Sequence, residues 1–389
     1  MREVMIAGIG QTPVGEHWDV SLRDLAHRAI EAALIDAGDL RPQALYIGNY
    51  LASVLSHQAN LGALFSDYSA LSGIEAYTVE ASTASGAGAL RMGYLAVASG
   101  FVDTALVLGV EKYTDAVGPQ QEGAVAMGLD TDYEGTQGLT LTAQAALLMR
   151  RYLHEYGAPE SALAPFPLIA HANGAGNPNA MYRKAIKRPA YESADPISDP
   201  VNLFDMAPYA DGAAALVLTH AGNLTAGAAH PPVRIRGSAV AIDTLAVHDR
   251  PNPLGFDAAR ISLEQACRQA GILPGDADLF ELSDAFSVYA ALSLEAAGLA
   301  QPGQSWKLAE EGAFDRSGRL PIATMGGLKA RGNPLGATGV YQAVEAVQQL
   351  RGEAGPNQIP GARLALVQTL GGAASTAITH VFEAANGHN

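Results

Sequence analysis

The chain switches between short unbroken apolar runs and longer stretches with an apolar residue every three or four positions. Residues 4–8 are apolar and β-prone, and the GQTP after them is a turn. The spacing predicts a helix over 22–37, with Leu25, Ala26, Ile30 and Ala33 on one face. A second helical pattern covers 60–71, and 77–80 is short and extended. Residues 82–100 read as a long helix of small residues. TALVLGV at 104–110 has no polar alternation, the mark of a strand covered on both faces. Strands alternating with helices predict a parallel sheet covered by helices.

This rhythm breaks at about 116–200. That stretch holds glycine-rich sequence, an amphipathic helix ending in MRRYLHEYG, and the polar segment HANGAGNPNAMYRKAIKRPAYE. An inserted loop domain is expected there. The rhythm returns with the strand in DGAAALVLTH and then repeats: strand 233–240, helix 258–271, short strand 279–281, helix 287–297. GGLKARGNPLGATG leads into a helix through 350, and 363–368 and 377–382 are strands joined by LGGAAST. The two halves share one α/β plan in pattern rather than in letters. At 389 residues the chain exceeds one ordinary core, so two units are expected, 1–221 and 222–389.

Charge narrows the range of functions. With 24 Lys+Arg against 39 Asp+Glu the formal charge is −15, which argues against nucleic-acid binding. The one compact basic run is YRKAIKR at 182–188, most simply a solvated loop face, although local cations can still meet an anionic ligand. The single cysteine, Cys267, excludes an internal disulfide and reads as a buried helical residue. The opening MREVMIAGIG has no signal-peptide layout and no long apolar segment follows, so a cytoplasmic protein without a membrane span is expected.

The generic glycine motifs fail on spacing. AGIGQTP lacks the third glycine of a dinucleotide fingerprint, and GGLKARGNPLGATG lacks the Gly-Lys-Ser/Thr step of a P-loop. The ten histidines have no metal-ligand spacing, and one cysteine cannot build a thiolate site. Three segments stand out: EASTASGAGAL at 80–90, GGLKARGNPLGATG at 326–339 and QTLGG at 368–372. Taken singly, each is explained by a capped helix or a close turn.

Together, in this order and with ELSDAF at 281–286, they resemble the thiolase superfamily. More narrowly, they are similar to the branch of sterol-carrier-protein and archaeal-type thiolases, acetyl-CoA acetyltransferases among them. GVEK at 109–112, Asn177-Pro178 and DGAAA at 211–215 extend the resemblance over nearly the whole chain. It implies a thiolase fold: α/β, two duplicated halves in five αβαβα layers, with an inserted loop domain. It also implies an acyl-CoA substrate whose coenzyme A is part of the substrate, no tightly bound cofactor, and a homodimer or higher oligomer. The thioester is expected near Gly332, Pro334, Gly336, Gly371 and Gly372.

The departures fall on the chemistry. Thr83 stands where the family has its acyl-accepting cysteine. Ser283 and Asn333 stand where this branch has histidines, and Thr369 stands at the position of the second cysteine of classical thiolases. Ala323 occupies a place where relatives often have Asn. A helix terminus and an imidazole shift a thiol of pKa about 8.5 by a few units, enough to make thiolate. A threonine hydroxyl is far less acidic and needs an adjacent base, which Ser283 and Asn333 are not. Both can still donate to a thioester oxygen, together with backbone N–H groups near Thr83 and Gly371-Gly372.

That equipment suits an aldol-type step, in which an enolate is held without a covalent intermediate. Some thiolase-like aldolases of steroid side-chain breakdown work this way with an OB-fold/zinc-ribbon partner subunit. A base is then required, and His57, Tyr113, Asp284 and Tyr341 are candidates, each also explicable as a surface, capping or core residue. The other readings are a non-catalytic subunit that binds acyl-CoA or lipid or completes an active thiolase, and an acetyl-CoA acetyltransferase with Thr83 or Ser85 as nucleophile.

Overall fold

The computed structural model describes residues 2–38, 40–224 and 230–385. Its strands are β1 (Val4–Gln11), β2 (Ala44–Gly48), β3 (Glu75–Val79), β4 (Thr104–Glu111), β5 (Pro196–Ser198), β6 (Val201–Asn202), β7 (Gly212–His220), β8 (Val233–Ile242), β9 (Leu279–Glu281), β10 (Leu364–Gly371) and β11 (Thr376–Ala384). Nine of them run in the order β3-β2-β4-β7-β1-β8-β11-β10-β9, and β5 and β6 form a separate hairpin.

That order is one half-sheet written twice. β1, β2, β4 and β7 recur as β8, β9, β10 and β11, with the same neighbours. β2 and β4 are parallel, as are β9 and β10; β4–β7 and β7–β1 are antiparallel, as are β10–β11 and β11–β8. The counterpart of β3 shrinks to a single parallel bridge, Phe280↔Ile322. Among the described residues the two half-sheets pair at Met5↔Arg234 and Ile6↔Val233.

The sheet is therefore mixed, not parallel as the alternation of strands and helices predicted. Parallel neighbours arise where a helical crossover returns the chain to the same end. Between β4 and β7 the chain instead passes through residues 112–211, which add no strand to the large sheet, and it re-enters antiparallel. Strand β2 has no counterpart in the sequence reading. It is five residues long, and a short run carries little periodicity to detect.

Apolar alternation explains the layers. The helix Leu22–Asp36 is capped by Ser21, whose hydroxyl accepts from Asp24 N. It buries Leu25, Ala26, Ile30 and Ala33 against Leu45, Ile47, Leu106, Leu108 and Val217 on one face of the first half-sheet. The alternate residues Tyr46, Val107, Leu216 and Leu218 point to the other face. There the helices Ser85–Ser99 and Thr338–Arg351 lie side by side and touch strands of both halves. The helix Asp257–Ala270 covers the outside of β8 and β11. Five layers result, αβαβα. The central layer is tight: a Cβ on Gly48 would stand 2.3 Å from Gly86 Cα, so neither strand nor helix tolerates a larger residue there.

Candidate functional site

Four segments from both halves meet beside this central layer. They are the turn at 81–85, the end of β10, the segment 282–286 and the loop 332–338. Together they wall a cavity lined by Thr83, Ser283, Asn333, Thr338 and Gly372, with Leu141, Met206 and Phe286 among its apolar surfaces. Its free space is about 20 Å3, room for a water molecule. No histidine, lysine, arginine or carboxylate among the described residues lines it; the titratable groups on its wall are Tyr209 and Tyr289.

Thr83 follows a residue held in the left-handed region, Ser82 with φ +52. The turn is knotted locally: Ser85 Oγ accepts from Ala81 N at 3.0 Å and donates to Ser82 O at 2.6 Å. The helix predicted from 82 accordingly starts at Ser85. Thr83 Oγ1 donates to Leu370 O at 2.6 Å and accepts from Gly372 N at 3.1 Å. Both roles of the hydroxyl are taken, and no carboxylate, imidazole or amine among the described residues lines the cavity beside it.

Ser283 Oγ accepts from Leu370 N at 3.0 Å and donates to Gln368 O at 3.4 Å. The two anticipated donors Ser283 Oγ and Gly372 N are thus already engaged. Asn333 differs. Its main chain is pinned by a bond to Pro208 O at 3.0 Å and by the Tyr113 hydroxyl, which donates to Asn333 O at 2.7 Å. Its Oδ1 accepts from Thr338 Oγ1 at 3.1 Å. That orients the amide and leaves its N–H groups without a bond to any described residue. Asn333 is the free polar donor that the replaced positions bring to the cavity.

The remaining sequence candidates lie elsewhere. Thr369 is on β10 beside Leu370 but is turned into the interior, where Oγ1 donates to Gln342 Oε1 at 2.7 Å. His57 is exposed, at φ +51. Tyr113 is buried and its hydroxyl is spent on Asn333 O and on accepting from Ala210 N at 3.2 Å; burial pushes its pKa well up. Asp284 Oδ1 accepts from Leu328 N at 2.6 Å, and burial raises its carboxyl against the pull of Lys329. Tyr341 donates to Thr12 O at 3.0 Å. None of these four proposed bases is on the cavity wall.

Of the positions expected to face the thioester, Gly372 lines the cavity, with φ +57, while Gly332, Pro334, Gly336 and Gly371 do not. Gly332 adopts φ +106 against Val14. Gly371 lies under Ala81 O, which an added Cβ would approach to 2.8 Å. Gly336 donates to Glu111 Oε2 at 3.2 Å. Glu111 also accepts from Tyr50 N, Leu51 N and Asn49 Nδ2, so one buried carboxylate ties the GNPLGATG loop to residues 49–51. Burial, partly offset by these donors, raises Glu111 to about 7. Cys267 is buried in the helix Asp257–Ala270, and burial raises its thiol to about 11.

A second cavity of about 350 Å3 shares Met206 and Ala207 with the first. His171, Tyr182, Lys184, Phe204 and Lys329 line it, which puts part of the basic run at its mouth. Lys329 Nζ donates to Phe204 O at 3.2 Å and Asp205 O at 2.5 Å, and burial lowers it to about 8.

The duplicated half-sheets, the helical layer between them and the insertion after β4 define a thiolase-like protein. Residues 4–222 match the family described as thiolase, N-terminal domain, and residues 239–384 match thiolase C-terminal domain-like. The chain belongs to the thiolase family. It is 39% identical over 386 residues to an acetyl-CoA acetyltransferase of Methanothermobacter thermautotrophicus, covering 98% of this chain and 100% of the relative. It is 28% identical to sterol carrier protein 2 of Gallus gallus, covering 97% of this chain and 71% of that protein. Among solved structures, a chain of the Ltp2-ChsH2(DUF35) aldolase superposes with a TM-score of 0.84 at 24% identity, covering 98% of each chain. No helix among the described residues is long and apolar enough to cross a membrane.

Proposed function

We propose that this chain acts on acyl-CoA thioesters and makes or breaks a carbon–carbon bond by aldol-type chemistry, without a covalent acyl-enzyme. The observation that carries this reading is the contrast between Thr83 and Asn333. The Thr83 hydroxyl donates a hydrogen bond to Leu370 O, and no carboxylate, imidazole or amine among the described residues lines the cavity to activate it. The Asn333 amide is oriented by Thr338 and free to donate into the cavity. In a retro-aldol step a base contributed by a partner subunit takes the β-hydroxyl proton, the Cα–Cβ bond breaks, and the electron pair moves into the thioester as an enolate. Asn333 donates to that enolate oxygen as its charge develops. A carbonyl product leaves, and Cα takes a proton. The basic residues Lys184 and Lys329 beside the adjoining cavity supply positive charge for an anionic thioester carrier. The solved aldolase of similar fold is named together with a DUF35 protein, and an OB-fold/zinc-ribbon partner subunit suits this chain, whose own cavity offers only tyrosines as titratable groups among the described residues.

The test is incubation of the purified protein, alone and with any such partner, with a panel of β-hydroxyacyl-CoAs. A shortened acyl-CoA and an aldehyde or ketone are expected. No cleavage and no reverse addition across the panel would overturn the reading. The tightness of the cavity favours a second one, a non-catalytic subunit completing an active thiolase; co-purification with a cysteine-bearing thiolase is its signature. The relatives named acetyl-CoA acetyltransferase favour a third, acyl transfer through Thr83, which requires an acyl mass increment on that residue after reaction with acetyl-CoA.

A further inference from the structure

The central cavity is smaller than any acyl group. Its free space is about 20 Å3, which holds a water, whereas the cavity beside it has about 350 Å3. The larger one is open at its rim, where Ile197 and Leu203 are 51% and 56% exposed, and Ile186, Phe204 and Pro208 give it apolar walls. A ligand that comes from solvent through the larger cavity must cross whatever separates it from Asn333 and Thr83.

Two residues line both cavities, Met206 and Ala207. Their main chain is held in place. Ala207 N donates to Ala285 O at 2.8 Å, and Met206 pairs with Phe286 in an isolated antiparallel bridge. Shifting that backbone would loosen residues 285 and 286, which are themselves central-cavity wall. Ala207 is buried and has only a methyl to move. The Met206 side chain is different. It is half-buried, and its sulfur accepts from Thr142 Oγ1 at 3.5 Å. Thr142 follows Leu141, a central-cavity residue, on the helix Leu141–Glu155. A thioether is a weak acceptor, so this contact is cheap to break. Methionine has three rotatable side-chain bonds and fills irregular gaps, so it yields where a branched or aromatic residue would hold.

We infer that the Met206 side chain is the partition between the two cavities and that it sets the length of acyl group that reaches Asn333 and Thr83. With the side chain displaced, the two cavities join into one space that runs from Lys184 and Lys329 to Asn333. The space gained is that of one methionine side chain, so the thioesters received are short-chain ones. This inference rests on the reading that the chain acts on acyl-CoA.

The experiment is calorimetric titration of the full chain with free coenzyme A, acetyl-CoA and butanoyl-CoA, repeated with Met206→Ala and Met206→Phe. Each methylene taken into apolar surroundings adds about fourfold in affinity. In the wild type, butanoyl-CoA is expected to bind no more tightly than acetyl-CoA. In Met206→Ala it is expected to bind about tenfold more tightly, with free coenzyme A within about twofold of wild type. In Met206→Phe, acetyl-CoA is expected to fall to the affinity of free coenzyme A. A butanoyl-to-acetyl ratio that is the same in wild type and Met206→Ala overturns the inference and leaves the acyl-CoA reading standing. If the alanine variant does not fold, acetyl-CoA bound by Met206→Phe as by wild type overturns it, and so does a wild type that itself binds butanoyl-CoA about tenfold more tightly than acetyl-CoA. If the wild type binds neither free nor acylated coenzyme A, the acyl-CoA reading itself falls, and this one with it.

Discussion

Thr83→Val separates a structural hydroxyl from a chemical one. Valine keeps the branched shape and removes the oxygen that donates to Leu370 O and accepts from Gly372 N. Each bond contributes about 1 kcal/mol net, and a buried partner left unsatisfied costs about 1–3 kcal/mol. Leu370 and Gly372 are both buried, so a loss of roughly 2–4 kcal/mol is expected. Thr83→Ser keeps both bonds and loses one methyl, about 1 kcal/mol. The assay is guanidinium unfolding, comparing midpoints at unchanged slope, beside turnover on the best β-hydroxyacyl-CoA. The expected order of stability is wild type, serine, valine, with the turnover of the folded valine protein within about tenfold of wild type. If Thr83→Val is as stable as wild type but its turnover falls by about a thousandfold or more, the hydroxyl does chemistry, and the argument from its saturated bonds is refuted.

Asn333→Ala is expected to lower kcat by about 10²–10³-fold, the size measured for removing one oxyanion donor, with a smaller change in KM. Steady-state kinetics on the same substrate decides it. Gly336→Ala would put a Cβ 2.7 Å from Glu111 Oε2 and 2.8 Å from Tyr50 N, so a loss of at least about 2 kcal/mol is expected in the same unfolding assay. His380 is fully buried between the central and second-half layers, bonded to Ala87 O at 3.3 Å with Arg91 nearby, and burial lowers it to about 3. Its folded value lies below the unfolded 6.5, so its stabilisation is complete above pH 6.5 and is lost as pH falls toward 3. By pH 4 the loss is about 3 kcal/mol, at about 1.4 kcal/mol per unit. His171, lowered to about 4 chiefly by burial, acts in the same direction. Unfolding curves from pH 7 to 4 for wild type and His380→Gln check this, with a shallower pH slope expected in the variant.

The elements most legible in the sequence were those with strong patterns. TALVLGV is buried along its whole length because helices cover both faces of β4, and the predicted strand differs from the observed one by a residue. Strand direction was not legible, because apolar pattern says which faces are buried and nothing about which end the chain re-enters from. In the site, motif position brought Thr83, Ser283 and Asn333 to one cavity. It misplaced Thr369, because adjacent residues of a strand face opposite ways and the motif does not say which of Thr369 and Leu370 faces the cavity. The bases were chosen by residue type near a motif, and packing places all four off the cavity wall. Tyr289 sits in FSVYAAL, which reads as core, and it is buried throughout, its hydroxyl without a hydrogen-bond partner among the described residues.

The loop carrying Asn333 owes its shape to residues other than Asn333's side chain. Gly336 hangs on Glu111. Arg331 is wholly buried, its guanidinium 5.1 Å from the centre of the Tyr341 ring and 3.5 Å from Glu345. Lys329 holds the carbonyls of Phe204 and Asp205. Removing one member of a buried charged pair costs about 3–5 kcal/mol, because the other is left in low dielectric. Exchanging one polar group for another on a cavity wall leaves no such charge behind. Position 333 can therefore carry an amide, and position 83 a hydroxyl, while the buried acids and cations keep the backbone around the cavity in place. The scaffold and the cavity wall rest on different atoms, and that is the physical reason a thiolase frame can hold a cavity that no cysteine or histidine among the described residues lines.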